Sequence, residues 1–209
     1  MKQNKSYLIG LTGGISSGKS VVGEMIKKEG FVIIDADVLA REVVLPGSPL
    51  LPKLKEIFGD DILNHGVLNR KNLAKKVFGN PEKLDILNHL LHPAIFSEMK
   101  KKIKKYEKLG EKILFLDIPL LFEVKDELKN EDITFNEIWV IYVKPSIQVE
   151  RLMKRDGISK SYALEKVHSQ MSMEEKKNLG DRMIDNNGSL EDLEEHVLWE
   201  LNSLKKRIK

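Results

Sequence analysis

Residues 7–20 read YLIGLTGGISSGKS, and residues 32–41 read VIIDADVLAR. The first stretch is a short apolar run that breaks into glycines and ends on Lys-Ser. Gly13, four residues, then Gly18, Lys19 and Ser20 have the spacing of a phosphate-binding P-loop. Glycine lets the backbone curl so that successive N–H groups converge on one phosphate. A helix starting at Lys19 adds the positive end of its dipole. Lys19 supplies a charge for the outer phosphates, and the Ser20 hydroxyl a ligand for Mg²⁺. The candidate cradle for a nucleoside triphosphate is therefore Gly13, Gly14, Ile15, Ser16, Ser17, Gly18, Lys19, Ser20 and Val21. A merely structural glycine turn is the bland alternative, and the placement after an apolar run and before a helical pattern argues against it.

The apolar runs YLIGL, FVIID, KILFLDI, EIWVIYV and RMID are each bounded by turn signals. Stretches of helical spacing lie between them, such as KSVVGEMIKKEG, which ends on Gly30 as a C-terminal cap. Short apolar strands alternating with helices predict a parallel sheet covered on both faces. The expected fold is α/β, a three-layer α/β/α arrangement around five parallel strands. The spacing is uneven. Roughly 75 residues separate the second and third runs, with PGSP, NHG, GNPEK and LHP as breaks between helical pieces. That interval predicts an all-helical inserted domain, in which His92-Pro93 marks a helix start with Pro93 in its first position. A second charged, helical excursion covers 146–180, and a packing helix runs from about 189 to 207. The division expected is a core of 1–37, 111–145 and 181–209, an insert of 38–110, and a lid of 146–180.

Composition narrows the function classes. The 209 residues are 41% hydrophobic, enough for a real core, and include no cysteine, so disulfides and Cys-ligated metals are excluded. Lys plus Arg number 35 against 32 Asp plus Glu, a net charge of +3 that gives no nucleic-acid footprint. The lysine cluster KKKIKK at 100–105 reads as a solvated helix face, because Glu98, Glu107 and Glu111 surround it. No run approaches the roughly 18 apolar residues of a membrane span. The opening MKQNK with a short LIGL run reads as an unprocessed cytoplasmic start, which makes the NKS and NGS sequons irrelevant. With no heptads and no assignable apolar stripe, a monomer or weak homo-oligomer is expected.

In IIDAD, Asp35 and Asp37 face the same way if both are extended. They end the second predicted strand, at the sheet edge where ligands bind. Either can position Mg²⁺ or take a proton from an attacking hydroxyl, and either can instead cap the helix DVLAREVV. Arg41, four residues after Asp37, is open to an ion pair with it or to a substrate anion. Asp117 closes the third strand, where P-loop proteins carry a second, water-mediated Mg²⁺ contact. Ile118 follows it, not the Glu of an ATP-hydrolysing motor. Glu123 is a candidate for the acceptor side. Arg151, Lys154 and Arg155 share a helical face and can close over a triphosphate. His89 and His92 lack a carboxylate at zinc spacing.

The motifs GLTGGISSGKS, IIDADVLAREVV, LLHP, DIPLLFE, RLMKRD and MIDNNGS, in that order over residues 10–189, resemble the dephospho-CoA kinases. The resemblance implies ATP-dependent phosphorylation of the ribose 3′-hydroxyl of dephospho-CoA, the last step of coenzyme A synthesis, with Mg²⁺. It makes Asp37 the base or orienter of that hydroxyl, and Lys19, Arg151 and Arg155 the cations serving the phosphates. It assigns the acceptor to the helical insert near Arg41 and His92, and adenine to the loop at Asn187. Ser16 departs from the family, which commonly has Gly there, and is tolerated only if its dihedrals suit a Cβ. Two rivals remain: a nucleoside monophosphate kinase, and a GTPase-like switch, which lacks the N-K-x-D motif it would need.

Overall fold

The computed structural model describes residues 5–208. Residues 1–4, which carry most of the predicted cytoplasmic start and the first residue of the NKS sequon, lie outside it. In chain order the elements begin with β1 (Tyr7–Gly13), α1 (Lys19–Lys28), β2 (Val32–Asp35), α2 (Ala36–Glu42) and α3 (Leu50–Phe58). A hairpin β3 (Leu63–Asn64) and β4 (Val67–Leu68) leads to α4 (Arg70–Val77) and α5 (Pro81–Lys108). There follow β5 (Ile113–Asp117), α6 (Lys125–Asn130), β6 (Glu137–Tyr142), α7 (Pro145–Asp156) and α8 (Lys160–His168). The chain closes with α9 (Met173–Leu179), β7 (Arg182–Asp185) and α10 (Leu190–Arg207).

The five predicted strands form one parallel sheet of order β2-β5-β1-β6-β7. β1 is central, with β5 on one side and β6 on the other, so the loop leaving it opens where strand order reverses, the ligand edge of such sheets. Alternation along the strands sorts side chains to two faces. Ile9, Leu11, Phe115, Trp139, Ile141 and Ile184 join Val22 and Ile26 of α1 and Leu193, Val197, Leu201 and Leu204 of α10 in one buried cluster. Phe115 packs edge-on to Trp139 with ring centroids 5.3 Å apart. Each such buried side chain contributes roughly 1.5–3 kcal/mol of apolar burial.

At the amino end of the sheet, Glu137 is buried and takes hydrogen bonds from Tyr7 Oη (3.0 Å), Trp139 Nε1 (3.0 Å) and Arg207 (2.9 Å). Burial alone would raise its pKa, but the bonds from Trp139 and Tyr7 and the Arg207 guanidinium outweigh that and hold it below the ordinary carboxylate value. A depressed carboxylate stabilises the fold above its unfolded pKa, and that stability is lost as pH falls through the folded value. Glu137→Gln is accordingly expected to lower unfolding free energy by about 2 kcal/mol at neutral pH, with a smaller difference in acid. Denaturant melts of both proteins at neutral and acidic pH check this.

The chain divides into two compact units, one of the residues through Ile34 and from Ile103 onward, the other Asp35–Lys102. The second has its own core of Val44, Leu51, Leu54, Phe58, Ile62, Leu73 and Leu87. Two expectations for it need correction. It is not all helical: at NHG, His65 (φ 46°) and Gly66 (φ 80°) both take positive φ, the geometry of a two-residue hairpin turn, and pair β3 with β4. Nor does His92-Pro93 start a helix, because Pro93 lies inside the continuous α5. A proline there forfeits one backbone bond. The buried Leu87 before it and Ile95, Phe96 and Met99 after it belong to one helix whose packing overrides that local cost.

Candidate active site

β1 hands the chain to the glycine loop, and α1 begins at Lys19, as its spacing predicts. Gly18, the residue before the helix, has φ 90°, a left-handed conformation open to glycine. A Cβ there would collide with the Asn186 amide. Asn186 is buried, and its Nδ2 donates to the Ser17 carbonyl at 2.7 Å, while Arg151 from α7 donates to the Asn186 carbonyl at 3.1 Å. Arg151 is thus carried to the loop through one intermediary. The Arg155 guanidinium is instead forked onto Asp156 at 2.7 and 3.2 Å on an exposed surface. Hydrogen bonding to Arg155 holds Asp156 below the usual carboxylate range.

Ser16 sits at φ 56°. That φ lies in the small left-handed region open to residues with a Cβ, so serine is accommodated there, at a cost of roughly 1–2 kcal/mol. Relief of that strain exceeds the roughly 0.5–1 kcal/mol of extra chain entropy that glycine brings to the unfolded state. Ser16→Gly is expected to raise stability by about 0.5 kcal/mol, read as a small upward shift in a denaturant midpoint.

The Lys19 ammonium is paired with Asp117, the residue that ends β5, and both side chains are largely covered (15% and 9% exposed). Beyond Asp117 the chain is pinned to β1: Ile118 N–H donates to the Leu11 carbonyl (3.0 Å) and Thr12 Oγ1 to the Pro119 carbonyl (3.0 Å). Glu123, farther along, accepts from the fully buried Lys176 of α9 at 3.1 Å. The hydroxyls of Ser16 and Ser17 are buried with no hydrogen-bond partner among the described residues. Two orphaned hydroxyls, a helix N-terminus and a lysine in one loop suit a triphosphate. For Mg²⁺, the Ser20 hydroxyl and the Asp117 carboxylate are a sparse oxygen set, which suits a cation that keeps water and phosphate oxygens as its other ligands.

Asp35 and Asp37 are not extended together. Asp35 (φ −95°, ψ 118°) caps α2, its Oδ1 accepting from the N–H groups of Asp37 (2.8 Å) and Val38 (3.1 Å). Asp37 is in the first helical turn, exposed, because the cap turns the chain into a helix one residue after the strand ends. Arg41 lies a turn later, and no ion pair joins it to Asp37. His92 is half-buried against Phe96, ring centroids 5.4 Å apart. Asn187 accepts from Lys144 N–H at 2.8 Å, and its backbone N–H donates to Asp185 Oδ1 at 2.8 Å.

Sequence reasoning missed Asn186, Gln148, Gln170, Met173 and Lys176. Gln148 Nε2 donates to the Ile15 carbonyl (2.9 Å), and Gln170 Oε1 accepts from Ile15 N–H (2.9 Å). The one available signal was the S-x-x-E capping box at 172–175, which orients α9 and hence Met173 and Lys176.

The family model described as dephospho-CoA kinase matches residues 7–192. A dephospho-CoA kinase of Carboxydothermus hydrogenoformans is 46% identical over 95% of this chain and 94% of that protein. One from Shouchella clausii is 42% identical over 88% of this chain and 91% of that protein. Among solved structures, the dephospho-CoA kinase from Campylobacter jejuni superposes with a TM-score of 0.70 and 27% identity, covering 95% of this chain and 97% of that one.

Proposed function

The chain belongs to the dephospho-CoA kinase family, and from that premise we propose that it transfers the γ-phosphoryl group of ATP to the ribose 3′-hydroxyl of dephospho-CoA. The observation carrying this reading is the ordered P-loop, in which Gly18 takes φ 90° immediately before α1 begins at Lys19. The 3′-oxygen attacks the γ-phosphorus as the bond to the bridging β,γ-oxygen breaks. ADP leaves, and Asp37 orients the hydroxyl and accepts its proton. Lys19 exchanges Asp117 for the outer phosphates, and the loop amides with Ser16 and Ser17 hold them. Ser20 and Asp117 would hold Mg²⁺, whose charge offsets that on the phosphoryl oxygens. Asn187, in the loop after β7, lies on the adenine side.

Residues 146–180 act as a lid that excludes water from the transfer, with Arg151 its phosphate-facing cation and Arg155 joining it once released from Asp156. The Asp35–Lys102 unit takes the acceptor through Arg41 and His92, and Glu123 is a further candidate acceptor contact. No helix among the described residues is long and apolar enough to cross a membrane. The protein works as a cytoplasmic monomer or weak homo-oligomer, without nucleic acid.

The test is ADP release with ATP and Mg²⁺ in the presence of dephospho-CoA, AMP, CMP or no acceptor. Turnover with dephospho-CoA alone, yielding CoA, supports the assignment. Turnover with a monophosphate instead would keep the phosphate site and discard the acceptor. Hydrolysis indifferent to every acceptor would discard the transferase reading.

A further inference from the structure

The stretch QMSMEEK, residues 170–176, sends three side chains to two loops that come from elsewhere in the chain. Gln170 Oε1 accepts from Ile15 N–H at 2.9 Å, and Met173 Sδ from Gly14 N–H at 3.1 Å. Lys176 Nζ donates to Glu123 Oε1 at 3.1 Å. The geometry follows from a local device. Ser172 and Glu175 form a capping box, Ser172 Oγ accepting from Glu175 N–H (3.2 Å) and Glu175 Oε2 from Ser172 N–H (3.0 Å). That fixes where α9 starts, so Met173 and Lys176, three apart, share its inward face and are buried.

We propose that residues 170–176 form a positioning element: Gln170 and Met173 set the entry of the phosphate-binding loop, and Lys176 sets Glu123. Its kinetic consequence at the acceptor rests on the reading of Glu123 given above. None of these side chains is catalytic; each acts through the group it holds.

The Lys176 side chain is 0% exposed, so its ammonium has given up water and depends on a carboxylate partner. Glu123 is 29% exposed and has a choice, since water can solvate it. The buried partner removes that choice and fixes where the segment after β5 places its carboxylate. At the other end, the Ile15 backbone is gripped on its N–H by Gln170 and on its carbonyl by Gln148 of α7. With both bonds made, the peptide units flanking Ile15 cannot rotate, and a cradle built from backbone N–H groups depends on their orientation.

Lys176→Met separates positioning from stability. It keeps the length of the side chain and removes the buried charge, and Glu123 can then turn to water, so thermal stability is expected to be unchanged or raised. Amide hydrogen exchange of residues 118–124 is expected to accelerate about 10-fold or more in this variant. The kcat/KM for dephospho-CoA should fall about 10-fold while KM for ATP stays within about twofold. Gln170→Met should do the converse, raising KM for ATP about 5-fold and speeding exchange at residues 14–16, with the acceptor KM unmoved. Unchanged exchange at 118–124 in folded Lys176→Met overturns the proposal, as does an equal movement of both KM values in both variants. Faster exchange with unaltered acceptor kinetics keeps the positioning role and removes Glu123 from the acceptor site. If Lys176→Met does not fold, Gln170→Met, at a half-buried position, decides through exchange at 14–16 and KM for ATP.

Discussion

Lys19→Ala is expected to lower turnover by about 10²–10³-fold, the usual cost of removing one preorganised charge from a site where negative charge develops. It should lower stability as well. The Asp117 side chain is 9% exposed and faces the Lys19 ammonium, and taking away one partner of such a pair costs roughly 3 kcal/mol because the other charge stays covered. Two effects of one substitution are separated by a second. In Lys19→Met with Asp117→Asn, both charges are gone, so the melting temperature should recover much of the loss while turnover does not. ADP release and thermal denaturation on the three proteins check this. Full ATP affinity and turnover in Lys19→Ala would take the lysine out of the mechanism and with it the P-loop reading.

Asp37→Asn is expected to reduce kcat by about 10²–10³-fold, within the range of a lost general base. Here no stability loss accompanies it. Asp37 is exposed, and the capping of α2 belongs to Asp35, so asparagine at 37 removes no structural bond. Asp35→Ala is the contrast, expected to cost about 1 kcal/mol through the cap. A variant that binds both substrates and turns over near normally would remove the base assignment. A modest loss of rate, with both substrates still bound, would make Asp37 an orienter alone.

The P-loop and the strands were legible because their signals are local. Gly13, Gly18, Lys19 and Ser20 carry their chemistry in their spacing, and five short apolar runs between helical stretches leave few arrangements other than a parallel sheet. Elsewhere local rules met competing terms. Proline at 93 reads as a helix start, yet packing on both sides carries α5 through it. The DAD pair is open to an extended doublet or to a helix cap, and Asp35, whose side chain captures two N–H groups, makes the cap and leaves the second aspartate helical. Serine at 16 can replace glycine only as far as its dihedrals allow, and no local pattern announces that its backbone sits at φ 56°.

Fold class, phosphate-binding loop and family are all written in contiguous residues, because the physical requirements of each are short-ranged. Which side chains support that loop depends instead on long-range packing. Asn186 rather than Asn187 meets Ser17, Arg151 rather than Arg155 reaches that asparagine, and Gln170 and Lys176 find Ile15 and Glu123 across 155 and 53 positions of chain. No periodicity encodes such pairs, since they depend on how helices and sheet pack and on which buried polar atoms then need a partner.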